Sequence, residues 1–392
     1  MRKNFWESDQ EAILAIMIVL IVLGTINVFS SSFVMAEADY NNPYFFLKKQ
    51  LANVLVGAIF FGICWRIDYH KWRDWIPIIL GATLVSLFLV LLIGPAVNGA
   101  KRWLPLPLFQ VQPAEFAKLV SIMLMAAYLS RQVHMRREIT IFNRQTGVVV
   151  LMFLLTEIEP DMGTACIILG VPLLMTVIAG LSKDKIKQLA TFAALGVVVM
   201  CLLQPYRLER IKVTYDPWSD AERVGYQTVQ SLSAIGSGGF FGMGLGVGAS
   251  KYDYLPEGHT DFAFAIFCQE NGFLGAILVF MLYAAFTVYV ARIAARSVDI
   301  FGEMLSIGIL ILIVGQGIVN LLMVGGMFPV VGVPLPFISY GGTSLLVNMS
   351  AMGILANIGK QGDALEAERE EARYLAELEK SKDPFGIKRY KL

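Results

Sequence analysis

The sequence predicts an all-α polytopic membrane protein of ten transmembrane helices, and three observations predict it. Hydrophobic residues make up 56% of the 392-residue chain and charged residues 16%, with a mean hydropathy of +0.62. A soluble domain carries about 25% charged residues. The apolar residues fall in runs of roughly 20, the length that crosses a bilayer core as a helix. Lys and Arg gather in alternate loops, as they do on the cytoplasmic side of membrane proteins. The 32 basic and 31 acidic residues leave a net charge of +1, which gives no basic field for nucleic acid.

The first span, 12–30, contains the run Ala12–Phe29. No small-residue cleavage site follows it, so it reads as a retained span and not a signal peptide. Spans at 46–66, 75–94 and 113–130 come next. The fifth, 146–157, is short, and charge establishes it. Arg131, Arg136, Arg137 and Arg144 precede it, while Lys183, Lys185 and Lys187 follow the sixth span at 162–181. Both clusters are cytoplasmic only if the chain crosses twice between them, which puts the acidic hinge Glu157–Asp161 outside. Spans at 186–203, 262–292, 303–327 and 340–359 complete the set. Arg66, Lys71, Arg73, Arg292 and Arg296 mark inside loops. The loops 31–44 and 328–339 hold no Lys or Arg and lie outside, so both termini are expected in the cytoplasm.

Residues 1–360 thus form the ten-span domain, with 204–261 as a large external loop between spans 7 and 8. Residues 361–392 form a charged cytoplasmic tail. Its Glu366, Glu368, Arg369, Glu370, Glu371, Arg373, Glu377 and Lys380 predict a solvated helix ending before Asp383-Pro384. Four isolated cysteines (Cys64, Cys166, Cys201, Cys268) support neither a disulfide framework nor a thiolate metal site.

Ionisable residues near membrane depth mark sites. Lys101 and Arg102 lie on the outer side against the positive-inside trend, beside Trp103. They suit an anionic ligand such as lipid phosphate, or headgroup anchoring. Glu115 and Lys118, three apart on one helix face, make an internal ion pair or line a polar cavity. The external loop carries Tyr215-Asp216-Pro217-Trp218, Gln230-Ser231 and the glycine run Gly236–Gly244. That run fits no nucleotide-phosphate motif, and its glycines are expected to pack closely against the membrane surface.

Asp253, Glu257, His259 and Asp261 crowd the mouth of the eighth span. Asp261 is either a first-turn or N-cap carboxylate, or a base for a hydroxyl nucleophile, or a metal ligand. A helix N-terminus weakens a carboxylate as a base. Desolvation or the neighbouring Glu257 would have to restore it. Pro329, Pro334 and Pro336, followed by Phe337–Ser344, predict non-helical backbone at membrane depth. Such backbone survives only where protein or a watery cavity covers it.

Five stretches occur in order along nearly the whole chain: NGAKRWLPLPLFQVQPAEFAKL (98–119), EPDMGTA (159–165), GYQTVQSLSAIGSGGFFGMGLG (225–246), YLPEGHTDFAFAIFCQENG (254–272) and VPLPFISYGGTSLL (333–346). Together they resemble the SEDS family (shape, elongation, division and sporulation), the FtsW/RodA/SpoVE group. The segments Pro43–Gln50 and Asp216–Asp220 resemble its division branch, FtsW or SpoVE. The resemblance implies a peptidoglycan glycosyltransferase of the inner (cytoplasmic) membrane. It would polymerise lipid II, an undecaprenyl-pyrophosphate disaccharide-peptide, into β-1,4 glycan strands on the outer face.

It also implies a class B penicillin-binding protein as transpeptidase partner, alongside other divisome or elongasome membrane proteins. The family's essential aspartate maps onto Asp261, as general base or as the carboxylate that holds a divalent cation (Mg or Mn). Its upstream acidic position maps onto Asp253, and its paired acidic residues onto Gln269-Glu270. Lys101 and Arg102, with Lys118, are candidate diphosphate contacts. Glu257 and His259 would tune the aspartate, and Gln230 and Ser339 complete the candidate substrate-binding set. The competing readings are a lipid II flippase and a non-catalytic scaffold that recruits a transpeptidase.

Overall fold

A computed structural model describes residues 8–96, 99–105, 110–248 and 255–382. Helix α1 (Asp9–Tyr40) begins at Ser8, whose hydroxyl accepts the Glu11 amide at 3.3 Å, and Asp9 and Glu11 face the positive end of its dipole. Helices α2 (Phe45–Arg66) and α3 (Tyr69–Ile93) follow. A minimal antiparallel hairpin, β1 (Leu104–Pro105) with β2 (Gln110–Val111), then leads into α4 (Pro113–His134). The Asn143 side chain caps α5 (Arg144–Ile158), and Asp161 caps α6 (Met162–Ile178).

The chain continues as α7 (Lys183–Leu203), α8 (Pro205–Tyr215), a 3₁₀ turn at Pro217–Asp220, and α9 (Tyr226–Gly238). Helix α10 (Ala263–Ala295) comes next, then α11 (Ile300–Leu310), joined by a π-helical turn at Ile311–Gly315 to α12 (Gln316–Val324), and last α13 (Gly342–Lys382). Among the described residues, seven helical segments are long and apolar enough to cross a membrane: α1 to α4, α7, α10 and the joined α11–α12; α6 is a shorter apolar helix.

Helix α4 is the axle. Its Ile122, Met125 and Leu129 are fully buried in one core with Ile13 and Leu20 of α1, Phe286 of α10, and Phe301 and Leu305 of α11. Helix α7 is the opposite case. It packs along α8, and its Phe192, Leu195, Val197, Val198 and Leu202 stay exposed, as suits a helix whose solvent is lipid. At the end remote from the hairpin, Asp9 pairs with Arg292 (3.6 Å) and Arg296 (3.5 Å), and Arg296 with Glu366 (3.4 Å).

The structure adds three features to these expectations. Much of the stretch 204–261, whose length alone points to function or local structure, is occupied by α8, the 3₁₀ turn and α9. The last apolar span and the charged tail are one continuous helix, α13, whose apolar half is buried among the other helices while its charged continuation is largely exposed. The eighth span is broken. Gly272, at φ 64° and ψ −163°, divides α10 into a short half (263–271) and a long half (273–295).

A break leaves carbonyls unpaired on one side and amides on the other, and the glycine run supplies both. The amides of Met243 and Gly244 donate to the carbonyls of Gln269 (2.9 Å) and Glu270 (3.1 Å). The amides of Phe273 and Leu274 donate to the carbonyls of Gly239 (3.0 Å) and Phe240 (3.3 Å). Gly242 has φ 83°, and a Cβ there would fall on the Glu270 carbonyl. The close approach that these glycines permit is to α10 itself.

Candidate active site

The short half of α10 follows directly on the stretch Leu255–Phe262, whose last residues lie beside the proline-rich loop and within the field of the hinge between α5 and α6. Asp261 is half-buried. Its backbone carbonyl accepts the Asn320 side-chain amide at 2.7 Å, and the same amide donates to the Val333 carbonyl at 2.7 Å. One fully buried side chain on α12 therefore ties the segment before α10 to the proline-rich loop. The approach of that loop is close: a Cβ on Gly332 (φ 69°) would lie 3.3 Å from Asp261 Oδ2. Burial, then Glu257, then Asp161 push the Asp261 carboxyl up to about 7, and Arg102 opposes them.

The acidic hinge between α5 and α6 supplies the facing wall. Asp161 is buried. Its Oδ1 accepts the Thr164 amide (3.2 Å) as an N-cap, and its Oδ2 accepts Gln112 Nε2 (2.7 Å). Glu159 is fully buried with neither carboxylate oxygen hydrogen-bonded, and burial and the Asp161 charge push it up to about 8. A carboxyl in that state is protonated at neutral pH. Arg102 reaches across to this hinge, donating from Nε to the Glu159 carbonyl (3.3 Å) and from Nη2 to the Pro160 carbonyl. Lys101 is exposed beside it.

An aromatic group adjoins the segment before α10. The His259 ring lies 4.8 Å from Phe46 and 5.7 Å from Tyr340, and its carbonyl accepts the Tyr340 amide at 2.9 Å. Burial lowers its pKa, so the imidazole is neutral at pH 7. Glu257 is exposed, with φ 56°, and its Oε2 accepts the Thr260 hydroxyl at 2.7 Å. Thr343 joins the proline-rich loop to the hairpin, accepting the Gln112 amide at 3.2 Å.

Of the residues expected at the site, Asp261, Glu257 and Arg102 fall within one electrostatic neighbourhood. His259 adjoins them along the chain. Lys118 is 1% exposed. Its Nζ contacts Glu115 at 2.8 Å and Gln316 at 2.9 Å, which is the ion-pair alternative. Ser339 is buried, its Oγ accepting the Leu335 amide at 2.9 Å, and Gln230 is half-buried on α9. Asp253 lies outside the described residues. Gln269 and Glu270 serve the break in α10: Gln269 Nε2 donates to Ser237 Oγ (2.8 Å), and Glu270 accepts from Ser30 (2.5 Å) and the Gly246 amide (3.0 Å).

Sequence reasoning did not select Gln316 and Asn320. Four apart on α12, they reach toward one loop, Gln316 donating to the Pro334 carbonyl at 2.8 Å. Two amides one turn apart in an otherwise apolar span were the available signal. Nor were Asp161 and Glu159 counted as site members, although their place outside was read from charge. Among the described residues, no three His, Cys, Asp or Glu side chains are arranged to hold a metal ion.

A polytopic helical membrane protein that uses a broken helix to present a carboxylate, opposite an acidic hinge and an arginine, is the class this fold and site define. The chain belongs to the FtsW/RodA/SpoVE family, whose model, described as cell cycle protein, matches residues 10–363. It is 39% identical over 363 residues to the probable peptidoglycan glycosyltransferase FtsW of Trichlorobacter lovleyi, covering 91% of this chain and 95% of that one. It is 36% identical over 351 residues to stage V sporulation protein E of Bacillus subtilis, covering 88% and 95%.

Two solved structures share the fold. One belongs to a study of a peptidoglycan synthase complex that coordinates polymerization and crosslinking (TM-score 0.72, 23% identity, 91% and 99% covered). The other is the rod shape determining protein RodA of Thermus thermophilus (TM-score 0.64, 22% identity, 91% and 98% covered).

Proposed function

We propose that this protein is a peptidoglycan glycosyltransferase that polymerises lipid II on the outer face of the cytoplasmic membrane, with Asp261 as general base. The family and the names of relatives sharing more than a third of its residues support the reaction class. The observation that carries the residue assignment is a carboxyl pushed up to about 7 at a loop-lined helix entry. General bases work best with a pKa near the operating pH.

In this reading the acceptor sugar's 4-hydroxyl gives its proton to Asp261 as its oxygen bonds to the donor's anomeric carbon. The bond from that carbon to the pyrophosphate oxygen breaks, and the pyrophosphate keeps the electron pair. Single displacement on an α-linked donor yields the β-1,4 bond. Arg102 and Lys101 would offset charge at the departing diphosphate. Glu257 holds up the proton affinity of Asp261, and neutral His259 with Tyr340 offers a face for a sugar ring. Lys118 is occupied by Glu115 and Gln316 and is assigned no contact. The described side chains do not make a metal cage, so a divalent cation (Mg or Mn) would have Asp261 and diphosphate oxygens as ligands, and no step here passes through one.

The reading includes ten crossings, made by α1 to α7, α10, α11–α12 and α13, with both ends cytoplasmic. It also includes a transpeptidase partner, in keeping with the synthase complex that shares the fold. The test is Asp261→Asn assayed with purified lipid II. Glycan strands should be lost on gels while the variant keeps the wild-type melting temperature. Wild-type strand lengths and yields from that variant would remove the base assignment, and lipid II translocation into proteoliposomes without polymer would replace the reaction.

A further inference from the structure

The glycine run that caps the break in α10 has a second face. From Phe241 the sequence alternates Phe-Gly-Met-Gly-Leu-Gly-Val-Gly, and no charged residue occurs between Arg223 and Lys251. The segment is a series of turns and not a strand: Gly242, Gly244 and Gly246 have φ of 83°, 95° and 82°, and the Val247 amide donates to the Gly244 carbonyl at 3.3 Å. Gly242 and Gly248 lie against α10, where a Cβ would meet Glu270 and Gln269 respectively. The intervening side chains point away: Phe241 is 78% exposed, Val247 62%, Leu245 61% and Met243 45%, joined by Phe240 at 54%.

Contiguous apolar surface of this kind marks an interface, and its neighbours identify the partner. The Phe240 ring lies 5.7 Å from Phe273, the first residue of the long half of α10. The exposed Phe273, Leu274, Leu278, Phe280 and Met281 extend the same surface along a helix long and apolar enough to cross the membrane. With no charge to hold it in water and a lipid-facing helix on its border, the patch continues the lipid surface of α10.

We propose that residues 240–247 insert into the acyl-chain region of the leaflet on the Asp261 side of the membrane. The insertion fixes the depth of the break at Gly272. Through the short half of α10, about 14 Å long at 1.5 Å per residue, it also fixes the depth of Asp261.

The test is power-saturation electron paramagnetic resonance on nitroxides at Phe241→Cys, Leu245→Cys and Val247→Cys, each in a Cys166→Ser/Cys201→Ser background. The protein is reconstituted alone in phosphatidylethanolamine/phosphatidylglycerol nanodiscs. Ser219→Cys serves as the water-exposed reference and Leu278→Cys as the lipid-exposed one. The loop labels should follow Leu278→Cys, several-fold more accessible to oxygen than to a nickel chelate. Labels that follow Ser219→Cys would place the loop in water and overturn the proposal. Labels shielded from both relaxants would mean a protein cover, such as a second copy, and would overturn it equally.

Discussion

A carboxyl pushed up to about 7 leaves a measurable mark on the pH profile of strand synthesis. If the ionised form of Asp261 is the base, kcat/KM follows the fraction ionised in the free enzyme. That fraction is about nine-tenths at pH 8 and about one-tenth at pH 6, so kcat/KM should fall roughly tenfold across this interval. A carboxyl with the ordinary value of 3.8 would stay ionised throughout and give a flat line.

Neighbours fix the sign of each shift. Glu257→Gln removes a charge that raises the Asp261 pKa, so the acid limb should move down. For an exposed partner about half a pH unit is expected, less at high salt. Arg102→Gln removes the opposing charge and should move the limb up. Glu159→Gln removes a neighbouring carboxyl that titrates near 8, and the limb near 7 should persist. The assay is initial strand formation from lipid II in nanodiscs between pH 5.5 and 8.5. A flat profile, or a limb that Glu257→Gln leaves in place, would refute the assignment.

Two further substitutions test the supports of the site. Asn320→Leu withdraws the donor shared by the Asp261 and Val333 carbonyls, each buried acceptor losing about 1–3 kcal/mol. Because the loss falls on placement of the base, kcat should drop about 10- to 100-fold with KM for lipid II within about twofold; an equal rise in KM would make Asn320 merely structural. Lys118→Met leaves the buried Glu115 carboxyl without its cation, a change that costs about 3–5 kcal/mol where a buried pair is broken on one side. Thermal unfolding in detergent should show the loss, and the double change Glu115→Gln/Lys118→Met should recover most of it.

The apolar helices were legible because hydropathy and alternating basic loops are local signals. The fifth helix shows how far they reach: the region around Gly147–Thr156 was recognised from charge, and α5 spans Arg144–Ile158. The break in α10 was not legible. Gly272 is one glycine in a long apolar run, and what makes it a break is the hydrogen bonding from a glycine ribbon some thirty residues earlier. Helices α8 and α9 were missed for a related reason, since hydropathy identifies membrane helices and both of these are short and mixed in polarity.

At the site, spacing was enough to pair Glu115 with Lys118 and to gather Glu257, His259 and Asp261. It could not say that Asp161, a hundred residues from Asp261, shares its field, or that Asn320 holds its backbone. Convergence of distant segments leaves no local trace in a sequence.

The proton affinity of Asp261 is the outcome of a contest with a definite winner. Standing at the entry of a helix, a carboxylate feels the positive end of the dipole, which favours its charged form. Two features of the fold weigh against that. The short half of α10 is only nine residues long before Gly272, so few peptide dipoles align behind Asp261. Burial removes water from the carboxylate, and Glu257 and Asp161 add negative charge around it, with the Arg102 cation opposing them. Burial and like charge win, and the carboxyl ends about a thousandfold less acidic than an ordinary aspartate. In the proposed reaction a docked diphosphate would bring further negative charge and draw on Arg102, which acts in the same direction. The proposed base is thus strongest when its reactant is in place, as a site that assembles acceptor, donor and carboxylate together requires.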